Sequence, residues 1–385
     1  MNILYLIPHL YNSGGMERVL CQKANWLAKH TEHRIVILTT EHTPKGLHDS
    51  YFPLDERIVT TCLGIDFDAD FQLPLYRKYP NHQRKMRQYK KLLRAFIEKE
   101  KIDLCISLGG KEIAFLPKMP CRTLAELHFA KNERLLRIQA HHSGLFWTIL
   151  GRIRVKQMVR EMKQFEHFVV LTEADRQQWV EAGCKQVVVI PNPCSLCGIT
   201  LPIIPREKEV LAVGRLHPQK GFDRLLQAWA PLEKCFPDWR LTIVGEGPER
   251  QHLETLIQNF KLMRVSLVGA QNHIERFYSR AALLAMTSLY EGLPLAMIEA
   301  MWCGTPCVSM NCPHGPEELI QKGGGILVEN GDIRAMSDAL NILMGDDDKR
   351  MALGQKAQLF AQNAFSETAI MNQWLQLVND NTNKK

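Results

Sequence analysis

The chain has no apolar run long enough to cross a bilayer. A transmembrane helix needs roughly 20 consecutive apolar residues, and no stretch of the 385 residues reaches that length. The first apolar segment, residues 3–7, has neither a basic lead nor a small-residue cleavage site, so it does not resemble a secretion signal. Together these absences favour a cytoplasmic protein.

The sequence also lacks clear metal-binding and disulfide motifs. Its 11 cysteines are an odd number and are scattered through apolar segments, as reduced core residues are. Only Cys194 and Cys197 form a Cys-x-x-Cys pair, and no second pair follows at zinc spacing. Because no Asp-x-Asp motif stands at a strand end either, we expect no metal and no other cofactor. Redox or metal chemistry at the cysteine pair is a minor alternative.

The dinucleotide fingerprint Gly-x-Gly-x-x-Gly is absent after the first predicted strand. The paired glycines Gly14 and Gly15 stand there instead, and they would let the backbone approach a ligand closely because neither has a Cβ. A structural role, in which they only tighten a turn, is the alternative. Glu41, after the second predicted strand, could imitate the ribose-binding acid of an NAD fold, so a dehydrogenase stays open as a weak alternative.

Two doubly wound domains are predicted from the alternation of short β-rich runs with helical stretches. Strands are predicted at residues 3–7, 35–39, 102–107, 123–127, 168–171 and 187–190, and then at 210–213, 241–244, 265–268, 283–286, 307–309 and 326–328. Helices are predicted at 16–29, 84–99, 152–165 and 173–182, and then at 222–232, 249–260, 274–279, 295–301, 333–343 and 349–363. The α/β pattern predicts two Rossmann-like parallel sheets, in residues 1–193 and 208–365, joined by a linker at 194–207. Because such sheets bind ligands at the carboxyl ends of their strands, we expect the site in a central cleft that both domains face.

Two carboxylates eight positions apart, Glu291 and Glu299, flank a predicted strand-to-helix junction in the second domain. Pro294 suits the first turn of a helix, which puts Glu291 on a loop tip and Glu299 on the helix behind it. Fixed at the carboxyl end of a strand, these two acids are suited to binding hydroxyl groups.

Two cations, Arg215 and Lys220, lie between the first strand and the first helix of the second domain. Gly214 ends the strand and the helix is expected to begin near Gly221, so both cations stand at a helix amino terminus. Positive charge is unfavourable there by a few tenths to about 1 kcal/mol. A bound anion, most naturally a phosphate, would offset that cost; two solvated surface bases are the alternative.

Motifs at four places make the chain resemble the retaining family 4 glycosyltransferases (glycosyl transferases group 1) of the bacterial surface-polysaccharide type. They are Gly-Gly-x-Glu at 14–17, Gly-Arg-x-x-x-x-Lys-Gly at 214–221, Val-Gly-Glu-Gly-Pro at 244–248 and Glu-Gly-Leu-Pro-Leu-x-x-x-Glu-Ala-Met at 291–301. They are correctly ordered and spaced across most of the chain. The resemblance implies a GT-B fold, with a nucleotide-sugar donor on the second domain and an acceptor on the first. It also implies that a helix in residues 366–385 crosses back toward the first domain, followed by a polar tail.

The resemblance implies a role for each motif residue. Glu291 would contact hydroxyls of the transferred sugar, Glu299 would hold the ribose hydroxyls, and Arg215 and Lys220 would bind the diphosphate. His128, at the end of a predicted strand, matches a histidine that reaches the donor sugar, and Glu126 is a weaker candidate beside it. The remaining donor-binding candidates are Gly14, Gly15, Glu17, Gly214, Gly245, Gly292, Leu293 and Pro294.

Positive charge is concentrated in the first half of the chain. The net charge is +7, and residues 1–193 carry 29 Lys and Arg against 20 Asp and Glu. On two predicted helices the bases form one stripe and apolar residues another, so both helices could dock on anionic lipid; solvated helices are the alternative. Nucleic acid is a poorer explanation, since few aromatics interleave with the bases. The basic stripes consist of Arg84, Arg87, Lys91 and Arg94, and of Arg152, Lys156 and Arg160.

The resemblance and the charge together predict an activity. The implied reaction is metal-independent transfer of a hexose or N-acetylhexosamine, most commonly from a UDP-sugar, with retained configuration. The implied acceptor is a polyprenyl-diphosphate-linked oligosaccharide at the inner face of the cell membrane, used in capsule, O-antigen or exopolysaccharide synthesis. A GT-B nucleotide-sugar epimerase, which needs no acceptor, and a catalytically silent membrane-bound partner of another transferase stay open.

Overall fold

Strands and helices alternate along the chain in the computed structural model, and they fall into two units. The first unit contains Met1–Ile190 and also Met371–Lys385, and the second contains Pro191–Ile370. The structure describes residues 1–44, 46–67, 69, 74–132, 135, 144–201 and 204–380. Residues 202–203 of the expected linker and 381–385 of the expected tail lie outside these ranges.

The first unit is built on a parallel sheet. Its strands are β1 (Asn2–Ile7), β2 (Arg34–Thr39), β3 (Val59–Cys62), β4 (Leu104–Ser107), β5 (Arg122–Glu126), β6 (His167–Val170) and β7 (Val187–Val189). Their order is β3-β2-β1-β4-β5-β6-β7, and every neighbouring pair is parallel. The helices of this unit are α1 (Gly15–His30), α2 (Leu75–Glu100), α3 (Leu145–Met162) and α4 (Glu173–Glu181).

The second unit repeats this architecture. Its strands are β8 (Glu207–Val213), β9 (Arg240–Val244), β10 (Val265–Leu267), β11 (Ala281–Met286), β12 (Cys307–Met310) and β13 (Gly325–Val328). They form a parallel sheet of order β10-β9-β8-β11-β12-β13. In both sheets the first strand lies in the middle and the order reverses beside it, which is the Rossmann arrangement.

The helices of the second unit follow its strands. They are α5 (Phe222–Cys235), α6 (Arg250–Asn259), α7 (Ile274–Arg280), α8 (Leu295–Trp302), α9 (Pro316–Gly323), α10 (Ile333–Gly345) and α11 (Asp347–Ala364). The last helix, α12 (Glu367–Asn379), begins in the second unit, and from Met371 onward the chain belongs to the first.

Each unit has its own hydrophobic core between sheet and helices. In the first unit Tyr89 and Leu93 of α2 pack with strand residues such as Leu4. In the second unit Trp229 of α5 packs with strand residues such as Leu283. Burying side chains of this size contributes about 1.5–3 kcal/mol each, so the apolar faces of these helices hold the layers together.

The predicted α/β class is confirmed, and the differences from the predicted elements have local causes. The edge strand β3 was not predicted because it reads Val-Thr-Thr-Cys and is largely exposed, so it has no apolar run. Helix α9 has eight residues and precedes a glycine-rich turn, which hides its periodicity. Helix α2 begins at Leu75, nine residues before the predicted start, because it continues through Pro80.

A buried carboxylate joins two strands of the second sheet, β8 and β9, to the helix before β11. Glu209 on β8 is fully buried and accepts hydrogen bonds from Thr242 Oγ1 (2.5 Å) and from Arg280 Nε (2.8 Å). Arg240 Nε donates to it at 3.1 Å. Burial raises the pKa of Glu209, but the hydrogen bonds from Arg280, Thr242 and Arg240 outweigh burial and lower it. The carboxylate therefore stabilises the folded state in its ionised form.

Replacing Glu209 by Gln is expected to lower the free energy of unfolding by roughly 1–2 kcal/mol at neutral pH, because the arginines are partly solvated. Because the pKa of Glu209 is lower in the folded state than in the unfolded state, its contribution to the free energy of unfolding is complete above the unfolded pKa of about 4.3. The contribution is lost as the pH falls from that value through the folded pKa. Urea unfolding at neutral and acidic pH measures the difference. Glu207→Gln, at an exposed neighbour of the same arginines, is the control. An equal loss from both variants would contradict the special role of Glu209.

Candidate active site

The loop after β8 places a lysine at the start of α5. Residues Pro218–Lys220 form one 3-10 turn, and Gly221, with φ 60°, is the N-cap of α5, so Lys220 lies directly before the cap residue. A Cβ at Gly214 would lie 2.9 Å from Lys220 Cε. The glycine therefore leaves room for the aliphatic stem of Lys220. The predicted strand end and helix start on either side of this loop are confirmed.

Lys220 forms an ion pair with the first acid of the motif in the loop after β11. Its Nζ lies 2.6 Å from Glu291 Oε1, and both side chains are mostly buried. The family resemblance assigns the two residues to different parts of one ligand and does not predict that they touch. They meet because β8 and β11 are neighbours in the sheet, and the strand order reverses between them.

Backbone contacts hold these two loops together. Leu289 N donates to Gln219 O at 2.8 Å, and Gln219 Nε2 donates to Tyr290 O at 2.9 Å. Thr287 Oγ1 donates to Gly221 O at 2.8 Å. A Cβ at Gly221 would lie only 2.3 Å from Thr287 O, so this close approach requires glycine. The Lys220–Glu291 pair therefore lies on two loops that hydrogen-bond to each other.

Arg215 lies in the same loop and is exposed. Within the described ranges its guanidinium has no ion-pair partner. It stands with Lys220 before the amino terminus of α5, where unpaired amides and the helix dipole favour an anion. The loop therefore offers two cations and a helix start to one anionic group.

The segment after Glu291 is buried and leads into α8. Leu293 and Pro294 are buried, and Pro294 occupies the position just before the helix. Gly315, with φ 90°, packs against this segment; a Cβ there would lie 2.7 Å from Gly292 O. The loop after β12 thus supports the loop that carries Glu291.

Glu299 lies inside α8 and is buried. Ser195 Oγ donates a hydrogen bond to its Oε1, and Tyr278 OH donates to its Oε2 at 2.7 Å. Neither hydroxyl is predicted from the sequence, because Ser195 stands in the expected linker and Tyr278 in an ordinary helical pattern. Both oxygens of the carboxylate are therefore oriented by neighbours in the second unit.

The Val-Gly-Glu-Gly-Pro motif after β9 packs against the loop after β8. Gly245 has φ 147°, and a Cβ there would lie 1.9 Å from Gly214 O. A Cβ at Gly247 would likewise lie only 2.3 Å from Leu216 O. These two glycines let one loop lie directly on the backbone of the other. Gly245 therefore supports the site through backbone packing.

In the first unit, the paired glycines begin α1. Gly14 caps the helix with an extended backbone and Gly15 is its first residue. A Cβ at Gly14 would lie 2.2 Å from Glu17 Oε2, so the glycine makes space for the carboxylate of Glu17, which is buried and 3.5 Å from His9 Nδ1. The structure thus gives Gly14 a packing role within the chain.

His128 follows β5 at the carboxyl edge of the first sheet. Its Nε2 lies 3.2 Å from Glu126 Oε1, and both side chains are buried. Glu126 Oε2 in turn accepts a hydrogen bond from the fully buried Lys23 of α1. The structure therefore joins His128 to the weaker candidate Glu126, and Lys23 is a member of this cluster that the sequence analysis missed.

The basic residues of α2 and α3 are exposed. This holds for Arg84, Arg87, Lys91, Arg94, Arg152, Lys156 and Arg160. The apolar stripe of α2 packs on the core through Tyr89 and Leu93, so docking of α2 on anionic lipid stays a prediction that rests on its exposed bases. Exposed apolar side chains lie elsewhere, at Ile149 and Ile153 on α3 and at Tyr76 and Tyr79 near the start of α2.

The described residues contain neither a candidate membrane span nor a candidate metal site. Within those ranges no helix is both long and apolar enough to span a membrane, and no cluster of three or more His, Cys, Asp or Glu side chains could hold a metal ion. The 11 cysteines are free thiols, and most are buried.

Two doubly wound parallel sheets of this kind are the GT-B fold. TarM from S. aureus, solved in complex with UDP and other ligands as a variant, matches over 98% of this chain and 100% of its own, with a TM-score of 0.77 and 17% identity. At that identity the match concerns the fold. The family model described as glycosyl transferases group 1 matches residues 201–360, most of the second unit.

The second unit therefore resembles the glycosyl transferases group 1, and relatives that match nearly the whole chain are named as glycosyltransferases. An uncharacterized glycosyltransferase of Haemophilus influenzae is 28% identical over 375 residues, which are 96% of this chain and 98% of that protein. An α-1,4-N-acetyl-D-galactosaminyltransferase of Campylobacter jejuni is 28% identical over 385 residues, 98% of each chain. Its name gives its acceptor as GalNAc-α-(1->4)-GalNAc-α-(1->3)-diNAcBac-PP-undecaprenol.

Replacing Gly245 by Ala is expected to destabilise the protein by about 1–3 kcal/mol, because the new Cβ collides with the backbone of Gly214 and the φ angle is strained. The midpoint of thermal or urea unfolding measures the loss. Gly345→Ala, at a helix position where a Cβ meets nothing within 4 Å, is the matched control and should leave stability unchanged or slightly higher. Unchanged stability of Gly245→Ala would contradict the close packing of the two loops.

Proposed function

We propose that the protein is a retaining glycosyltransferase that moves a hexose or N-acetylhexosamine from a UDP-sugar to a lipid-linked oligosaccharide, in the synthesis of a bacterial surface polysaccharide. The observation that carries this proposal is the Lys220–Glu291 pair at the point where the strand order of the second sheet reverses. Ligands of open α/β sheets bind at that point. The pair offers a cation for phosphate and a carboxylate for hydroxyls on adjoining loops.

The cations of the β8 loop suit the diphosphate of the donor. Arg215 and Lys220 stand before the amino terminus of α5, and together with the helix amides they would stabilise the charge that develops on the leaving diphosphate. This assignment needs no metal ion, so we propose metal-independent transfer. The UDP in the TarM complex supports a uridine nucleotide as the leaving group.

The two acids would bind different hydroxyl groups of the donor. Glu291 lies at a loop tip beside Lys220. Because Lys220 would bind the phosphate, Glu291 is close enough to reach the sugar that the phosphate carries. Glu299 is set back in α8, with its carboxylate oriented by Ser195 and Tyr278, which suits the ribose. Bidentate contact of a carboxylate with vicinal hydroxyls fixes the donor without chemical change to the acid.

Retention of configuration would follow from attack on the same face that the diphosphate leaves. In this reaction the bond from the anomeric carbon to the phosphate oxygen breaks, and a bond to the acceptor oxygen forms. The departing phosphate oxygen takes the acceptor proton. Glu291 would then orient the sugar, and His128 would contact the donor sugar, in keeping with their family positions.

The acceptor proposal is supported by the first unit's charge and by one relative. The exposed bases of α2 and α3 give this unit a positive surface, and the Campylobacter jejuni relative is named for a PP-undecaprenol-linked acceptor. On α3, Ile149 and Ile153 are about half exposed beside Arg152 and Lys156. Apolar and basic side chains on one helix face suit the headgroup region of an anionic membrane. We propose peripheral binding there, at the inner face of the cell membrane.

Replacing Lys220 or Glu291 by Ala is expected to lower the rate of sugar transfer roughly 100-fold or more, because each removes a group that acts on the reacting donor. The measurement uses a panel of nucleotide sugars and a lipid-linked acceptor pool, with product mass and anomeric linkage read out. Nucleotide release that requires acceptor separates transfer from epimerisation, and addition of EDTA tests metal independence.

Lys234→Ala is the matched control for Lys220, since Lys234 is an exposed lysine on the far end of α5. It should retain full activity. Circular dichroism establishes that each variant is folded. Full activity of both the Lys220 and Glu291 variants would overturn the site assignment, and a product of inverted configuration would overturn the retaining mechanism.

Reversing the charge of the α3 face, with Arg152→Glu and Lys156→Glu together, is expected to weaken binding to vesicles that contain phosphatidylglycerol at least about tenfold, since each base near an anionic surface contributes about 1 kcal/mol. Vesicle co-sedimentation measures this. The control is Lys234→Glu with Lys356→Glu, which makes the same change of charge at exposed sites of the second unit. An equal effect of both double variants would contradict a specific docking face.

A further inference from the structure

Three buried polar side chains of the first unit form a chain that ends at His128. Lys23 Nζ contacts Glu126 Oε2, and Glu126 Oε1 lies 3.2 Å from His128 Nε2. The exposed fractions of the three side chains are 1%, 1% and 6%. The carboxylate of Glu126 therefore bridges a buried cation and the imidazole.

The bridge leaves one contact incomplete. At the present orientation of the ring, neither Glu126 Oε1 nor His128 Nε2 makes a hydrogen bond to a described residue, although both atoms are buried. Buried polar atoms are seldom left unsatisfied. A small rotation of the imidazole would complete the bond between these two atoms, so the pair is arranged to set the orientation of the ring.

Stability alone is a weak reason for this arrangement. Taking an ammonium and a carboxylate out of water is costly, and a well-packed apolar pair is often as stable. Burial lowers the pKa of Lys23, and Glu126 opposes that shift. Burial likewise opposes ionisation of Glu126, but Lys23 and His128 lower its pKa to about 2. A permanently ionised, immobile carboxylate beside a histidine is the usual device for fixing an imidazole.

The last helix covers the cluster. Trp374 of α12 is buried, and its ring centroid lies 4.0 Å from Lys23 Nζ. The same helix is fastened to the start of β5, because the guanidinium of Arg122 donates to Val378 O and Asp380 O, both at 2.8 Å. The strand that carries Glu126 is thus attached to α12, and water is excluded from the lysine side of the cluster.

We propose that Glu126, held by Lys23 and covered by Trp374, is a positioning residue that fixes the orientation and tautomer of His128 for sugar transfer. This inference rests on the proposed function, in which His128 contacts the donor sugar. With its Nε2–H directed at Glu126, the neutral imidazole keeps Nδ1 without a proton. Nδ1 is then an acceptor for a hydroxyl of the donor sugar, and the ring cannot turn away from it.

The test replaces Glu126 by Gln and measures both the histidine and the reaction. The amide can keep its oxygen toward Lys23 and turn its NH₂ toward His128, so Nε2 becomes the acceptor and the proton moves to Nδ1. Nitrogen-15 NMR of histidine-labelled protein should report Nε2–H in the parent and Nδ1–H in the variant. The kcat should fall about 10- to 100-fold, while the KM for the nucleotide sugar changes less than about threefold, because the nucleotide is bound by the second unit.

Two further variants keep the test decisive. Glu126→Gln leaves Lys23 buried without its counter-ion, so Lys23→Met with Glu126→Gln removes both charges and provides a second protein if the single variant does not fold. Glu112→Gln is the matched control: Glu112 is another buried glutamate of the first unit, bonded to Ser107 and Tyr89. It should change neither the tautomer nor kcat.

A double-mutant cycle with His128→Ala separates positioning from general packing. If Glu126 acts through His128, Glu126→Gln should have little further effect on kcat once the histidine is gone. Equal effects in both backgrounds, or an unchanged tautomer in Glu126→Gln, would overturn the inference. Full activity of His128→Ala would contradict the proposed contact of His128 with the donor sugar, and the inference would fall with it. The tautomer measured by NMR does not depend on any assumed donor or acceptor, so it tests the positioning of the ring separately.

Discussion

The reversal of strand order beside β8 is the constraint on which the donor side of this protein depends. Because β11 lies next to β8 in the sheet, the loops that follow them have no other strand between them and must pack against each other. The backbone of Gly221 then meets Thr287 O, and Lys220 meets Glu291. A cation and a carboxylate 71 residues apart in sequence become neighbours through topology. Local propensity places each residue on its loop, and only the sheet places the loops together.

That distinction explains which features could be predicted from the sequence. Periodicity and turn residues indicate β8, α5 and α8 because these signals are local, and the motif residues Arg215, Lys220, Glu291 and Glu299 follow from their spacing. Pairing between them depends on strand order, which periodicity does not contain. The contact of Ser195 with Glu299 was missed for the same reason. A serine in a turn-rich connecting segment carries no local sign of a distant buried acid.

The amphipathic pattern of α2 shows a second limit. An apolar stripe opposite a basic stripe is equally suited to a protein core and to a lipid surface, since both remove the apolar face from water. In α2 the apolar face packs on the protein core through Tyr89 and Leu93. On α3 two apolar side chains, Ile149 and Ile153, remain exposed to solvent. The pattern therefore predicts that a face is buried, and three-dimensional packing decides what buries it.

The discontinuity of the first unit has a consequence for how the chain is made. Domains generally fold as they leave the ribosome, the amino-terminal one first. Here Met371 and the residues after it complete the first unit, and Trp374 is the cover of Lys23. Until translation reaches the last helix, the nascent first unit holds its charged cluster open to water. Of the two units, the first to begin along the chain is thus the last to be completed.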